Sequence, residues 1–474
     1  MIGTKIKQIF PDIAIMKNDD REAIFKSHNL PSFVKDYIIS KHSKNDGSLD
    51  KQAITEFLDK HIIKTKPGSR LRNGETVQLL TRFIILSDFK EGKVYFSIPD
   101  SDIREGIIPQ NLLNQYKKEL IDGETWGVIK MEYISPCGKE KGYIKMINFT
   151  PFKPYHSLDL KYFIECRKQF TIEEWLDVLL SAMEYSPAGF ADTEQKMEFI
   201  TRLLPFVEPR LNMIELGPKG TGKSYVFDHI SRYGWLISGG KVSRAKLFYN
   251  KAIKQPGIMS NFDVVAFDEV QNIDFQDPDM QPILKHYLED GTAKVDNYDF
   301  RSECGMVLLG NIPLTSEYQP KNDLYVKALP TNFQESALLE RFHGFIEGWK
   351  LPRLTDKNIK LNDWTLNVEY FSEILHLLRS VNGYSLLIEK VLEWEETADL
   401  RDLKAVKRMT TAYWKLLFPH ITKVEDLNRD EFRQYCLEPA IHRRGIIRKQ
   451  CCKVDAEYKE EMPEIKIKNE NTEP

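Results

Sequence analysis

Glu215-Leu-Gly-Pro-Lys-Gly-Thr-Gly-Lys-Ser-Tyr225 is the stretch that decides how this chain folds. It contains Gly217-x-x-x-x-Gly222-Lys223-Ser224, entered from the apolar run Leu211, Met213, Ile214 and Leu216 and followed by Tyr225-Val-Phe-Asp-His-Ile230. The apolar run reads as a strand and the following segment as a helix start. Small residues between them let backbone N–H groups turn inward and cradle phosphates at the positive end of the helix. In such a loop Lys223 reaches the β- and γ-phosphates and Ser224 ligates Mg²⁺. The expected nucleotide contacts are Gly217, Pro218, Lys219, Gly220, Thr221, Gly222, Lys223, Ser224 and Tyr225, with ATP and Mg²⁺ as the ligands.

Working outward, Val264-Val-Ala-Phe-Asp268-Glu269 is an apolar strand ending in two acids, 44 residues beyond Ser224. Adjacent carboxylates at the tip of a buried strand are costly unless a metal or a reaction uses them. Asp268 is the expected Mg²⁺ partner beside Ser224, and Glu269 the expected general base for the attacking water. Met306-Val-Leu-Leu-Gly-Asn311 is a second strand ending in a polar group, and its amide is placed to orient that water. Leu338-Leu-Glu-Arg341 ends an apolar helix with one arginine, which suits charge stabilisation in a neighbouring subunit's site. Strands alternate with helices from 207 to 355, an α/β nucleotide-binding core.

Composition narrows the class. The chain has 474 residues, enough for several domains, and a net charge of −3 gives no global basic signal, so nucleic-acid binding must rest on local patches. No apolar run reaches membrane-spanning length and the N-terminus lacks a signal-peptide core, so no membrane partner and a cytoplasmic location are expected. The six cysteines lack zinc-site spacing and read as reduced thiols.

Residues 1–75 carry helix-period apolar faces, as in Phe33-Val-x-x-Tyr-Ile-Ile. Residues 76–155 read as short strands with a helical stretch near 109–121, which predicts a small OB-like barrel. A helical connector follows over 156–206, where Thr171 and Glu174 form a capping box. Beyond the core, 356–450 reads as a helical lid and 451–474 as a disordered polar tail.

With these motifs stated, the chain resembles the Lon-protease-like ATPases of BREX phage-defence systems, the BrxL family. The resemblance lies in Cys166-Arg-Lys-Gln-Phe-Thr-Ile-Glu-Glu-Trp175, Val207 to Ser224, Ser238-Gly-Gly, Val264 to Val270 and Gly348-Trp-Lys-Leu-Pro352. It implies an AAA+ fold, a homo-oligomeric ring (a hexamer or stacked hexamers), DNA binding, a role in excluding phage and other defence proteins as partners. Family members carry a C-terminal protease domain with a Ser–Lys dyad. Residues 453–474 are too few for one and contain no serine, so protease activity is not expected of this chain.

The core also looks like replicative MCM-type helicase modules. Leu288-Glu-Asp-Gly-Thr-Ala-Lys294-Val reads as a helix running into a hairpin, with Lys294 at the position that tracks DNA in that class. Arg401-Asp-Leu-Lys-Ala-Val-Lys-Arg resembles a lid helix with a second nucleotide-sensing arginine, Arg401, with Arg408 in reserve. Three basic clusters are DNA candidates: Lys64, Lys66, Arg70 and Arg72; Lys139 and Lys141; and Lys241, Arg244 and Lys246. No base-reading module is present, so backbone contacts to double-stranded DNA without sequence preference are expected. The competing readings are an ATP-dependent protein unfoldase working with a separate protease, gripping through Trp235-Leu-Ile or Phe248-Tyr249, and an ATP-gated DNA clamp.

Overall fold

The computed structural model describes residues 2–26, 28, 30–43, 49–62, 66–88, 92–99, 101–117, 119–120, 123–138, 141–151, 158–251, 255–275, 279–295 and 297–468. The chain forms two compact units. One comprises Met1–Glu22, His28–Asp36 and Ser157–Pro474, and the other Ala23–Ser27 and Tyr37–His156.

The smaller unit is a closed five-stranded barrel. Its strands are Val77–Asp88, Lys93–Ser97, Gly106–Ile108, Gly123–Ile134 and Tyr143–Pro151. The first pairs with the second and fourth, and the fifth closes the barrel between the third and fourth. Helix Gln110–Gln115 sits between the third and fourth strands in sequence. Alternating side chains point inward, and Phe83 packs edge-on against Phe96 and Phe149 at 6.2 and 5.7 Å. Helices Lys51–His61 and Pro67–Arg72 precede the barrel.

The larger unit is built on an all-parallel sheet of Met213–Gly217, Gly234–Lys241, Val264–Asp274, Gly305–Asn311 and Gly344–Glu347. The phosphate-loop strand Met213–Gly217 lies between Gly344–Glu347 and Gly305–Asn311, with Val264–Asp274 and Gly234–Lys241 beyond. Ile214, Leu216, Val265, Phe267, Met306, Leu308 and Phe345 are buried in one core on one face, and the alternate residues Met213, Val264, Ala266, Val307 and Leu309 are buried on the other, as expected for a parallel sheet covered on both faces. Helix Met280–Asp290 ends at Gly291, in the left-handed region at φ 79°, and turns into the hairpin Thr292–Val295 and Tyr298–Arg301.

Three segments depart from the sequence expectations. Ala14–Lys17, in the region expected to be helical, is a strand pairing antiparallel with Asp363–Leu366, itself within the expected helical lid. The expected disordered tail is ordered over most of its length. Helix Glu438–Val454 runs past residue 450, and Ile465–Ile467 pairs with Leu392–Trp394, burying Ile465 and Ile467. Short polar sequence with two alternating apolar residues looks disordered until a distant strand supplies its partner. The capping box at Thr171 and Glu174 is present in both directions.

Candidate nucleotide-binding site

The C-terminal edge of the parallel sheet gathers the motif residues because each motif ends its own strand. Register pairs Asn311 with Gly217 and Asp268 with Ser238. The Lys223 ammonium lies 3.5 Å from Asn311 Oδ1 and donates to the carbonyls of Gly217 and Pro218 at 3.2 and 2.7 Å. Burial pushes that ammonium below its usual range, while the Glu215 carboxylate pulls it back up. Ser224 Oγ donates to Asp268 Oδ2 at 2.6 Å, so the two oxygens share one point in space. A hydroxyl beside a carboxylate is hard-oxygen chemistry that suits Mg²⁺ brought in with a nucleotide. Among the described residues no group of three or more His, Cys, Asp or Glu forms a metal cluster.

The loop is braced from beneath. Glu215 sits mid-strand with no exposure and forms a two-point pair with fully buried Arg202 at 2.6 and 3.0 Å. Arg202 also donates to the Thr221 carbonyl at 3.0 Å, tying strand to loop. Gly217 abuts Gly348, where a Cβ would come within 2.7 Å of the opposing backbone. Gly222 caps the helix Lys223–His229 at φ 75°, a conformation that costs a side-chain-bearing residue energy. The segment after the last sheet strand lies along the loop. Leu354 N–H donates to the Gly220 carbonyl at 2.8 Å, and the exposed Arg353 runs beside Gly220. Tyr225 points away from the loop, its hydroxyl donating to Glu184 and lying 2.8 Å from Ser32 Oγ. It anchors the helix through that hydroxyl.

Glu269 has φ 46°, a strained setting for a residue with a side chain. Asp268 Oδ1 accepts its N–H at 2.8 Å, and Asn272 donates to its carboxylate at 3.1 Å. It lines an open cavity of about 780 Å³ with Pro218, Lys219, Asn311, Thr315 and Tyr318.

Arg341 and Arg401 come together elsewhere. Arg341 precedes Gly344–Glu347, whose Gly344 registers with Met213, the strand residue farthest from the loop. Both guanidiniums share two carboxylates. Arg341 pairs with Glu289 and Glu340 at 3.3 and 3.2 Å, and Arg401 with the same two at 3.4 and 3.1 Å. Arg401 is therefore held beside Arg341 at the N-terminal edge of the sheet, away from its own chain's phosphate loop. Arg408 is half-buried, bonded to the Arg210 carbonyl and to His343.

Of the DNA candidates, Lys64 and Lys139 lie outside the described residues. Lys66, Arg72 and Lys141 are exposed, and Arg70 pairs with Glu75 at 2.7 Å. In the larger unit, Lys241 and Lys246 are exposed and Arg244 pairs with Asp279 at 3.4 Å. Lys294 is exposed on its hairpin opposite Asp299, while Ala293, Val295 and Phe300 are buried. Tyr249 stacks on Tyr298 at 3.9 Å and Phe248 meets Phe300 at 5.2 Å, so the 241–249 segment and the hairpin pack as one body.

Sequence reasoning assigned no role to Arg202, Glu215, Arg353, Glu289 or Glu340. Glu215 carried a signal, because a carboxylate inside an apolar strand requires a buried partner. The others become visible only when distant segments meet.

Fold and site together define the class: an α/β protein whose parallel sheet carries a phosphate-binding loop. Comparison with known proteins then gives the family. Residues 144–464 match the family model "Lon-like protease BrxL-like, ATPase domain", and residues 8–133 match "BREX system Lon protease-like protein BrxL N-terminal". The chain belongs to the BrxL family. It is 28% identical over 413 residues to the Lon-like protease BrxL of Escherichia coli O9:H4 (strain HS), covering 85% of this chain and 59% of that protein. It is 27% identical over 439 residues to the Lon-like protease BrxL of Bacillus cereus (strain H3081.97), covering 89% of this chain and 63% of that protein. The chain thus spans about three fifths of the length of these relatives. No helix among the described residues is long and apolar enough to cross a membrane.

Proposed function

We propose that this chain is an AAA+ ATPase that assembles into a homo-oligomeric ring, binds DNA through its backbone and couples ATP hydrolysis to DNA translocation or remodelling in phage defence. The observation that carries the reading is the convergence of Lys223, Ser224, Asp268, Glu269 and Asn311 at one edge of the sheet. Lys223 and the loop N–H groups hold the phosphates. Ser224 and Asp268 hold Mg²⁺, which when bound neutralises charge on the phosphate oxygens. Glu269 takes the proton of the attacking water, and Asn311 orients that water. Arg341 and Arg401 sit at the far edge and do not serve their own loop. A ring, in which one copy's arginines reach the next copy's phosphates, gives both a use.

Two observations favour DNA. The barrel has the strand pairing of a five-stranded oligonucleotide-binding barrel, and exposed Lys141 lies just before its fifth strand. Exposed Lys241, Lys246 and Lys294 belong to one packed body in the larger unit. Against the unfoldase reading, Phe248 and Ile237 are buried, Tyr249 is stacked on Tyr298 and Trp235 packs on Phe262. A strand-displacement assay separates a motor from an ATP-gated clamp.

The test of the reading is Glu269→Gln, which is expected to bind ATP, lose turnover and retain random-sequence duplex in an ATP-dependent, salt-sensitive manner. Normal turnover would contradict the role of Glu269. Absence of duplex binding at low salt would contradict the DNA assignment.

A further inference from the structure

The arginine pair is held in place by a segment that no motif marks. Arg341 follows the single helical turn Ser336–Leu339, and Glu340 is that turn's C-cap. One oxygen of Glu340 accepts both arginines, and its other oxygen accepts the Tyr458 hydroxyl at 2.5 Å. At the start of the turn, Ser336 Oγ donates to Asp455 Oδ2 at 2.7 Å. Asp455 and Tyr458 lie just past helix Glu438–Val454, and Asp455 N–H continues that helix by donating to the Cys451 carbonyl at 2.9 Å. The Asp455 carboxylate accepts Glu457 N–H at 3.0 Å, which fixes the local turn, and Tyr458 packs its ring against the core of the larger unit. The two ends of the arginine-bearing turn are thus clasped by two residues, Asp455 and Tyr458, three positions apart. Glu340 is 8% exposed, so its orientation is set by these partners more than by water.

We propose that Asp455 and Tyr458 are positioning residues for Arg341 and Arg401, setting the direction in which the pair is presented to the neighbouring copy. The inference rests on the trans role proposed above. Tyr458 holds Glu340 in the rotamer that binds both guanidiniums, and Asp455 fixes the turn from which Arg341 projects. Loss of either hydrogen bond leaves the arginines charged and present but misdirected, which affects the chemical step more than nucleotide binding.

The test compares Tyr458→Phe, Asp455→Asn and Arg341→Ala, with Tyr458→Phe also made in a chain carrying both Arg341→Ala and Arg401→Ala. Steady-state ATP hydrolysis and binding of a fluorescent ATP analogue are measured on the assembled protein. Tyr458→Phe is expected to lower kcat about tenfold, the scale of one charge-assisted hydrogen bond, with KM and analogue affinity within about twofold of the parent. Asp455→Asn is expected to move kcat in the same direction. In the chain lacking both arginines, Tyr458→Phe is expected to add no further loss. Parental kcat in Tyr458→Phe and Asp455→Asn, beside an impaired Arg341→Ala, would overturn the positioning role alone. A full further loss from Tyr458→Phe in the chain lacking both arginines would also overturn it, because the tyrosine would then act elsewhere. Full hydrolysis by Arg341→Ala would overturn the trans reading itself.

Discussion

At the scale of single residues, the site is governed by what buried charges touch. Arg202 and Glu215 are both fully buried and neutralise each other directly beneath the phosphate loop. Removing one partner strands the other charge in the core, at a cost of about 3–5 kcal/mol. Arg202→Met is therefore expected to lower stability by that order in chemical denaturation and to weaken ATP binding, because the tie to the Thr221 carbonyl goes with it. A loss under about 1 kcal/mol would mean the pair does not brace the loop. His420 makes a prediction with pH. Burial, helped by Arg167 and Lys168, pushes its imidazole down to about 4 from the ordinary 6.5. The folded chain keeps it neutral while the unfolded chain takes up a proton. The His420 contribution to stability is therefore expected to be constant above about pH 6.5 and to fall as pH drops from 6.5 towards 4. His343, held low by burial and by Arg408, adds to the same slope. Thermal melts across this window should show a flatter dependence for His420→Gln, and an unchanged slope would remove His420 as a cause.

At the scale of elements, the sequence was most legible where chemistry and chain geometry coincide locally. The phosphate loop, the acidic strand end and the strand ending at Asn311 each announce themselves within a dozen residues, because a parallel strand must be apolar and its C-terminal tip is where polar groups are tolerated. The hairpin carrying Lys294 was legible for the same reason, through the helix-ending Gly291. The strand Ala14–Lys17 and the strand Ile465–Ile467 were not, because each owes its conformation to a partner far away in sequence. The surroundings of Arg401 were not legible for a related reason. A helix start can be read from sequence, but the carboxylates that capture its arginine, Glu289 and Glu340, come from two other elements. The hairpin gives a prediction of its own. Lys294 is exposed with its flanking residues buried, so Lys294→Ala removes a charge without disturbing the fold. It is expected to weaken binding to all duplex sequences alike and to reduce the salt slope by about 1. An unchanged slope would take Lys294 off the DNA path.

At the scale of the whole molecule, the decisive feature is that loop and arginines occupy opposite edges of one sheet. A single copy cannot bring them together, whereas a ring can. Lys223→Ala abolishes a copy's own phosphate site but keeps its arginines, and Arg341→Ala does the reverse. Each variant alone is expected to be nearly inactive. Mixing them creates some interfaces with an intact loop facing an intact arginine, so the mixture is expected to regain hydrolysis. A mixture no more active than its components would contradict the trans arrangement.

The central question is whether ATP hydrolysis and DNA belong to one cycle. The measurement is steady-state ATP hydrolysis by the purified protein, alone and with single- or double-stranded DNA, across a salt series. We predict hydrolysis that duplex DNA stimulates and that loses this stimulation as salt rises, because phosphate contacts dominate the affinity. Robust hydrolysis indifferent to either DNA, with no DNA binding at low salt, would contradict the account.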